Sequence, residues 1–199
     1  TIYKTLGDWK LPMCKNNVAM SLVNAGRITD AIVWATQAID SCPADKPLFK
    51  SQMMHTLGWA RFKLEDYAAA RKHFVDSIAI LPKSNGDLRH ATAQRLDFGH
   101  LEMSVNDVPE AIKQFEHALD IATASKDVGL IAQAHGALYR VYMSIGALEE
   151  ALKHCERETS TTKQRERAEN DMRISVLRAQ DVLVFLRNEW SRDVFAANY

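Results

Sequence analysis

Cysteine is scarce in this 199-residue chain: there are three, Cys14, Cys42 and Cys155, odd in number and far apart. Such a set builds no disulfide framework and suits reduced thiols in a cytoplasmic protein. An excess of one charge is lacking too, with 25 basic residues against 25 acidic. A dedicated nucleic-acid surface normally carries a basic excess, so nucleic-acid binding is not expected. No run of about 18 apolar residues occurs, which leaves no membrane-spanning helix. No secretory signal is visible and the first residue is Thr1, so the sequence reads as a fragment or a processed product. Glycine-rich phosphate loops, Cys-x-x-Cys pairs and His-x-x-x-His pairs are all missing, and the seven histidines are scattered. No metal, cofactor or catalytic arrangement of nucleophile, base and orienting group is therefore expected.

What the chain does have is a repeat. Ala31, Ala70, Ala111 and Ala151 follow one another at nearly constant intervals of about 40 residues. A fixed period of this size marks a solenoid, in which each unit buries its apolar face against the next. With 47% hydrophobic residues there is enough apolar material for a continuous core. No strand pattern occurs, so the fold class is all-α.

The clearest unit contains Leu57-Gly58, then Tyr67, Ala70, Phe74 and Pro82. Gly58 and Ala70 are small where two helices must approach closely, Phe74 is large where it must fill a gap, and Pro82 ends a helix. The first unit has Val18-Ala19, Gly26, Ala31, Ala35, Ala38 and Pro43. The third has Phe98-Gly99, Ala111, Phe115 and Ala118. The fourth has Leu138-Tyr139, Tyr142, Gly146 and Ala151, with Cys155 in place of the phenylalanine. Together these units resemble the tetratricopeptide repeat (TPR) superfamily, and their length is similar to its long-repeat subclass of about 40 residues. The resemblance implies an α-solenoid of four helix-turn-helix repeats, about 12–43, 48–82, 88–124 and 128–160, preceded over 1–11 by the end of an earlier helix or an N-terminal extension. It also implies a protein-interaction role and no enzymatic activity.

First helices are expected at about 13–25, 48–63, 88–104 and 128–144, and second helices at about 28–41, 67–80, 108–123 and 148–160. Gly26, Asn106 and Gly146 suit the left-handed turn inside a hairpin, and Asp87 and Asp127 suit N-caps. Beyond Thr161 the repeat stops, and 161–190 reads as a separate helix with 191–199 as a tail or linker. Met172, Val176, Ala179, Leu183, Leu186 and Trp190 are spaced 4, 3, 4, 3, 4, a heptad seam. The seam implies a helix that caps the last repeat, pairs with a second copy (a homodimer) or with a following domain, or does both.

In TPR arrays the first helices line the concave face. By phase, that face would carry Asn16, Asn17, Met20 and Asn24 from the first repeat and Gln52, His55, Trp59 and Lys63 from the second. The third would add Asp97, His100 and Met103, and the fourth Gln133, Arg140 and Met143. Amides can bond a peptide backbone, Met and Trp accept apolar side chains, and Arg140 can grip a carboxylate. The resemblance thus implies a protein or peptide ligand. The family's clamp for chaperone tails is missing, because its positions hold Asn16, Met20, Thr56, Ala93 and Asp97. Two settings fit: the regulatory or sensory part of a larger signalling protein (of the GGDEF, kinase or transcription-regulator kind), or a scaffold subunit of an obligate complex.

Overall fold

The computed structural model describes the backbone of residues 10–81 and 88–196, with side chains as far as residue 178 and Gln180. All the described elements are helices: α1 (Lys10–Asn24), α2 (Ile28–Asp40), α3 (Pro47–Lys63), α4 (Tyr67–Ala79), α5 (Leu88–Ser104), α6 (Val108–Ser125), α7 (Val128–Ser144) and α8 (Leu148–Ala196). They pair in chain order into four antiparallel hairpins stacked as an all-α solenoid. Expectations placed on Thr1–Trp9, on Pro82–Asp87 and on the side chains of Ala179, Leu183, Leu186 and Trp190 lie outside the described residues.

The four periodic alanines are all within 1% of complete burial. Each leaves room for the facing helix, which is why a larger residue is missing from that phase. The hairpin turns repeat as well. Gly26, Glu65, Asn106 and Gly146 all take positive φ, between 59° and 76°, and stand one per hairpin. Three of them are glycine or asparagine, which accept this conformation readily; Glu65 is the costly one. Asp66 and Asp107 follow their turns and cap α4 and α6 through the backbone amides of Ala69 and Glu110. Asp127 caps α7, accepting from Gly129 and Leu130.

Between the helices of a hairpin, the fit rests on a glycine under an aromatic ring. A Cβ on Gly58 would stand 2.9 Å from Phe74, and one on Gly99 would stand 2.4 Å from Phe115. The first hairpin uses two alanines at these places, Ala19 and Ala35, both fully buried. Between repeats the seams are partly polar. Ser51 donates to the Ser77 carbonyl at 2.8 Å, and Gln94 donates to Ser51 at 2.7 Å, which ties α3, α4 and α5 together. The carboxylate of Glu102 is completely buried and pairs with Arg71, which also reaches Asp107 at 3.4 Å. Burial pushes the Glu102 carboxyl above its ordinary range, and Arg71 opposes the push.

The C-terminal region differs from the expectation. There is no break near Thr161; the second helix of the last repeat and the expected separate helix are one 49-residue helix, about 70 Å long at 1.5 Å per residue. Nothing after Gly146 is a glycine or a proline, so no residue is present to end it. Along α8 Met172, Ile174, Val176 and Leu177 are all exposed, Met172 to 71%. The described part of the seam, Met172 and Val176, therefore does not cap the last repeat. The array is closed by the first part of α8, where Ala151 is buried against α7.

Candidate functional site

Residues of α5, α7 and α8 line a common cavity. A cavity of about 260 Å³ there is lined by Leu96, Asp97, His100, Gln133, Gly136, Arg140 and Glu158. Four of the expected groove residues, Asp97, His100, Gln133 and Arg140, are brought together in it. Gln133 also lines a neighbouring cavity of about 350 Å³, with Arg89, Asp127 and Arg165 on its walls. The two form one trough along α7.

Each wall has a structural cause. Asp97 and His100 lie one turn apart on α5, so both face the same way. Asp97 is held from behind: its Oδ2 is 2.9 Å from His55 Nε2 on α3, an ion-pair distance although the two are not aligned for a straight hydrogen bond. His100 stands edge-on against Phe115, with ring centroids 5.1 Å apart. Burial holds its imidazole below the ordinary histidine range; Asp97 pulls it up and Arg140 pushes it down. His100 is accordingly neutral at pH 7. Gln133, Gly136 and Arg140 share the facing side of α7 at three- and four-residue spacing.

Glu158 reaches the cavity from α8 over the bare backbone of Gly136. A Cβ there would lie 2.8 Å from the Glu158 carboxylate oxygen, so the glycine is what lets the carboxylate in. Neither Glu158 nor Arg140 has an ion-pair partner among the described residues. In the neighbouring cavity, by contrast, Arg89 is tied to Asp127 and Arg165 to Glu169.

The remaining expected residues are spread along the array. Asn17 and Asn24 are exposed, and Met20 and Gln52 are half-buried. Asn16 is buried, its Oδ1 without a hydrogen-bond partner. His55 is buried behind Asp97 and is a supporting group rather than a wall. Trp59 is half-buried against the cores of the first and second hairpins and beside Phe62, while Lys63 lies 4.6 Å above its ring. Met103 packs against the core of the last two repeats, whereas Met143 is 45% exposed. Gly136, Glu158, Arg89 and Arg165 were not anticipated as a group. The only signal for the first was a glycine inside a helix, where it costs about 1 kcal/mol relative to alanine and needs a reason.

A histidine pair was also missed. His135 and His154 face each other across α7 and α8, Nδ1 to Nδ1 at 2.9 Å, and His154 stacks on Tyr142. Burial, with His154 and Arg157 adding, lowers His135 to about 4. Burial and Arg157 lower His154 as well. Both rings are neutral at pH 7, so one nitrogen donates and the other accepts.

No protein-family model matches the chain, and no curated protein matches it in sequence. Solved structures do. Aspartyl phosphate phosphatase F from Bacillus subtilis superposes with a TM-score of 0.73 at 13% identity, over 80% of this chain and 42% of that one. A Rap protein complexed with Competence and Sporulation Factor gives 0.72 at 17% identity, over 80% of this chain and 45% of that one. A kinesin light chain protein of nearly identical TPR-like repeats, from Podospora anserina, gives 0.66 at 17% identity, over 79% and 76%. The fold is shared with these TPR-like solenoids. The chain spans less than half the length of the first two. Among the described residues, no helix is long and apolar enough to cross a membrane.

Proposed function

We propose that the trough between α5, α7 and α8 binds a peptide or an extended protein segment, and that the chain is the regulatory part of a larger signalling protein. The observation that carries the binding role is the Arg140 guanidinium: it lines a polar concave cavity without a carboxylate of its own. Around it stand an amide, two carboxylates and a neutral imidazole, which can bond both backbone and side chains of a segment. The Rap protein of the same fold, solved with a bound factor, supports a binding role for such arrays. The signalling setting is supported by α8, which continues far past its hairpin and offers a rigid connection to another unit. Its exposed Met172 and Val176 fit a homodimer through that helix. A strict monomer in sedimentation at high concentration would remove the dimer without touching the trough.

The trough is tested by selecting peptides from a random library on the immobilised chain. The expected result is that Arg140→Ala and Gln133→Ala weaken a selected peptide at least about fivefold, while Lys113→Ala on α6 changes nothing. Equal binding by all three variants would refute the assignment.

A further inference from the structure

We propose that the cavity between Asp97, Arg140 and Glu158 is a charge-pair pocket: it takes a cationic group between the two carboxylates and an adjacent carboxylate on Arg140. This rests on the reading of the trough as a ligand site and names the chemistry that its deepest part selects.

The pocket's charges are arranged rather than accidental. Three charged side chains from three different helices converge on about 260 Å³, and two of them, Arg140 and Glu158, have no ion-pair partner among the described residues. In this position the Glu158 carboxylate uses the space left by the missing side chain of Gly136, a residue that costs helix stability. The last hairpin has Tyr139 and Cys155 where the middle ones have the glycine and the ring, and one turn away a carboxylate stands over Gly136. Asp97 lies 2.9 Å from His55 on its far side. His100, the remaining basic group on the wall, is neutral at pH 7 and does not repel a cation. Two carboxylates with one guanidinium leave the empty pocket one negative charge in excess, which an entering cation neutralises. The guanidinium then satisfies the ligand's carboxylate through two parallel hydrogen bonds.

The volume limits the ligand. Drug-sized ligands occupy pockets from about 300 Å³ upward, so this one fits one or two residues, not a large molecule. Two sources carry the chemistry: neighbouring basic and acidic side chains of a bound segment, or the ammonium and carboxylate of a free α-amino acid.

The test uses the full chain and nuclear magnetic resonance. Three probes are titrated to millimolar concentration: acetyl-Lys-Asp-amide, free L-alanine, and the uncharged acetyl-Leu-Asn-amide. The expected result is saturable shifts of the Gln133, Gly136 and Arg140 amides with a charged probe and none with the uncharged one. Shifts with the dipeptide assign the pocket to side chains of a segment, and shifts with alanine to an amino acid; either supports the charge pair. Glu158→Gln, on the surface of α8, should weaken the responding probe at least about fivefold with an unchanged circular dichroism spectrum. Gly136→Ala should do the same by displacing Glu158. Equal response to the uncharged probe, no response to either charged one, or a Glu158→Gln variant that binds as before would overturn the proposal. A peptide selected as above that still needs Arg140 while Glu158→Gln binds normally would leave the trough standing and sink only the charge pair.

Discussion

In the second and third hairpins a phenylalanine lies over a glycine, and the contact is apolar and closed: Phe74 over Gly58, Phe115 over Gly99. In the last hairpin the matching positions hold Tyr139 and Cys155; one turn away the Glu158 carboxylate lies over Gly136 and lines a cavity, and two histidines face each other between the helices. The middle hairpins have a repeat on either side and spend their inner surface on packing. Among the described residues the last packs against a repeat on one side, and its inner surface carries charged and polar groups. The proposed site lies where the repeat departs from itself, not where it is most regular.

The largest expected effect breaks the seam between the middle repeats. Arg71→Ala leaves the buried Glu102 carboxylate without its cation and should cost about 3 kcal/mol. Urea denaturation would show it as a lowered midpoint, and Glu102→Gln added to Arg71→Ala should recover part of the loss.

A direct comparison of the two kinds of hairpin comes next. Gly99→Ala pushes a Cβ into the Phe115 ring, with two ring atoms within 2.6 Å, and should cost about 2 kcal/mol. Gly136→Ala meets only the mobile end of Glu158, so the gain in helix propensity should leave stability unchanged or slightly raised. Equal losses at both sites, measured by the same denaturation, would erase the distinction between packed and polar hairpins.

Acid sharpens the same distinction. His135 titrates near 4 in the folded chain against about 6.5 unfolded, so below 6.5 the unfolded chain takes up protons that the folded pair refuses. The contribution is complete above pH 6.5 and is lost as pH falls from 6.5 toward 4. The melting temperature should fall by several degrees over that range. In the double variant His135→Gln, His154→Gln the fall should shrink to the part due to the other lowered histidines, His73 and His100.

The smallest effect is a gain. Glu65 holds φ at 59° in a turn where the first and last hairpins use glycine. Glu65→Gly should stabilise the chain by about 0.5 kcal/mol, after the greater freedom of glycine in the unfolded state is offset. Calorimetry with no gain or a loss would show that Glu65 is not strained.

Much of the frame was legible because it is local. The alanine period reports close helix contacts, Gly26, Asn106 and Gly146 report left-handed turns, and every helix start from α2 to α7 falls within a residue of its expected place. The end of α8 was not legible as a break. The repeat pattern stops near Thr161, but a pattern can end where a helix does not, and no glycine or proline enforces a stop. Of the site, the half on α5 and α7 followed from phase: Asp97, His100, Gln133 and Arg140. Glu158 and Gly136 did not, because their meeting depends on which face α8 turns toward α7. The burial of Asn16 was equally hidden, since phase alone does not show how deeply a concave residue is covered.

The most direct test is to map where a selected peptide touches the chain, by amide shifts on the full protein. The reading predicts that the perturbed amides cluster at Asp97, Gln133, Gly136 and Arg140. Perturbation confined to α6, or to α8 beyond Met172, with those four unmoved, would contradict it.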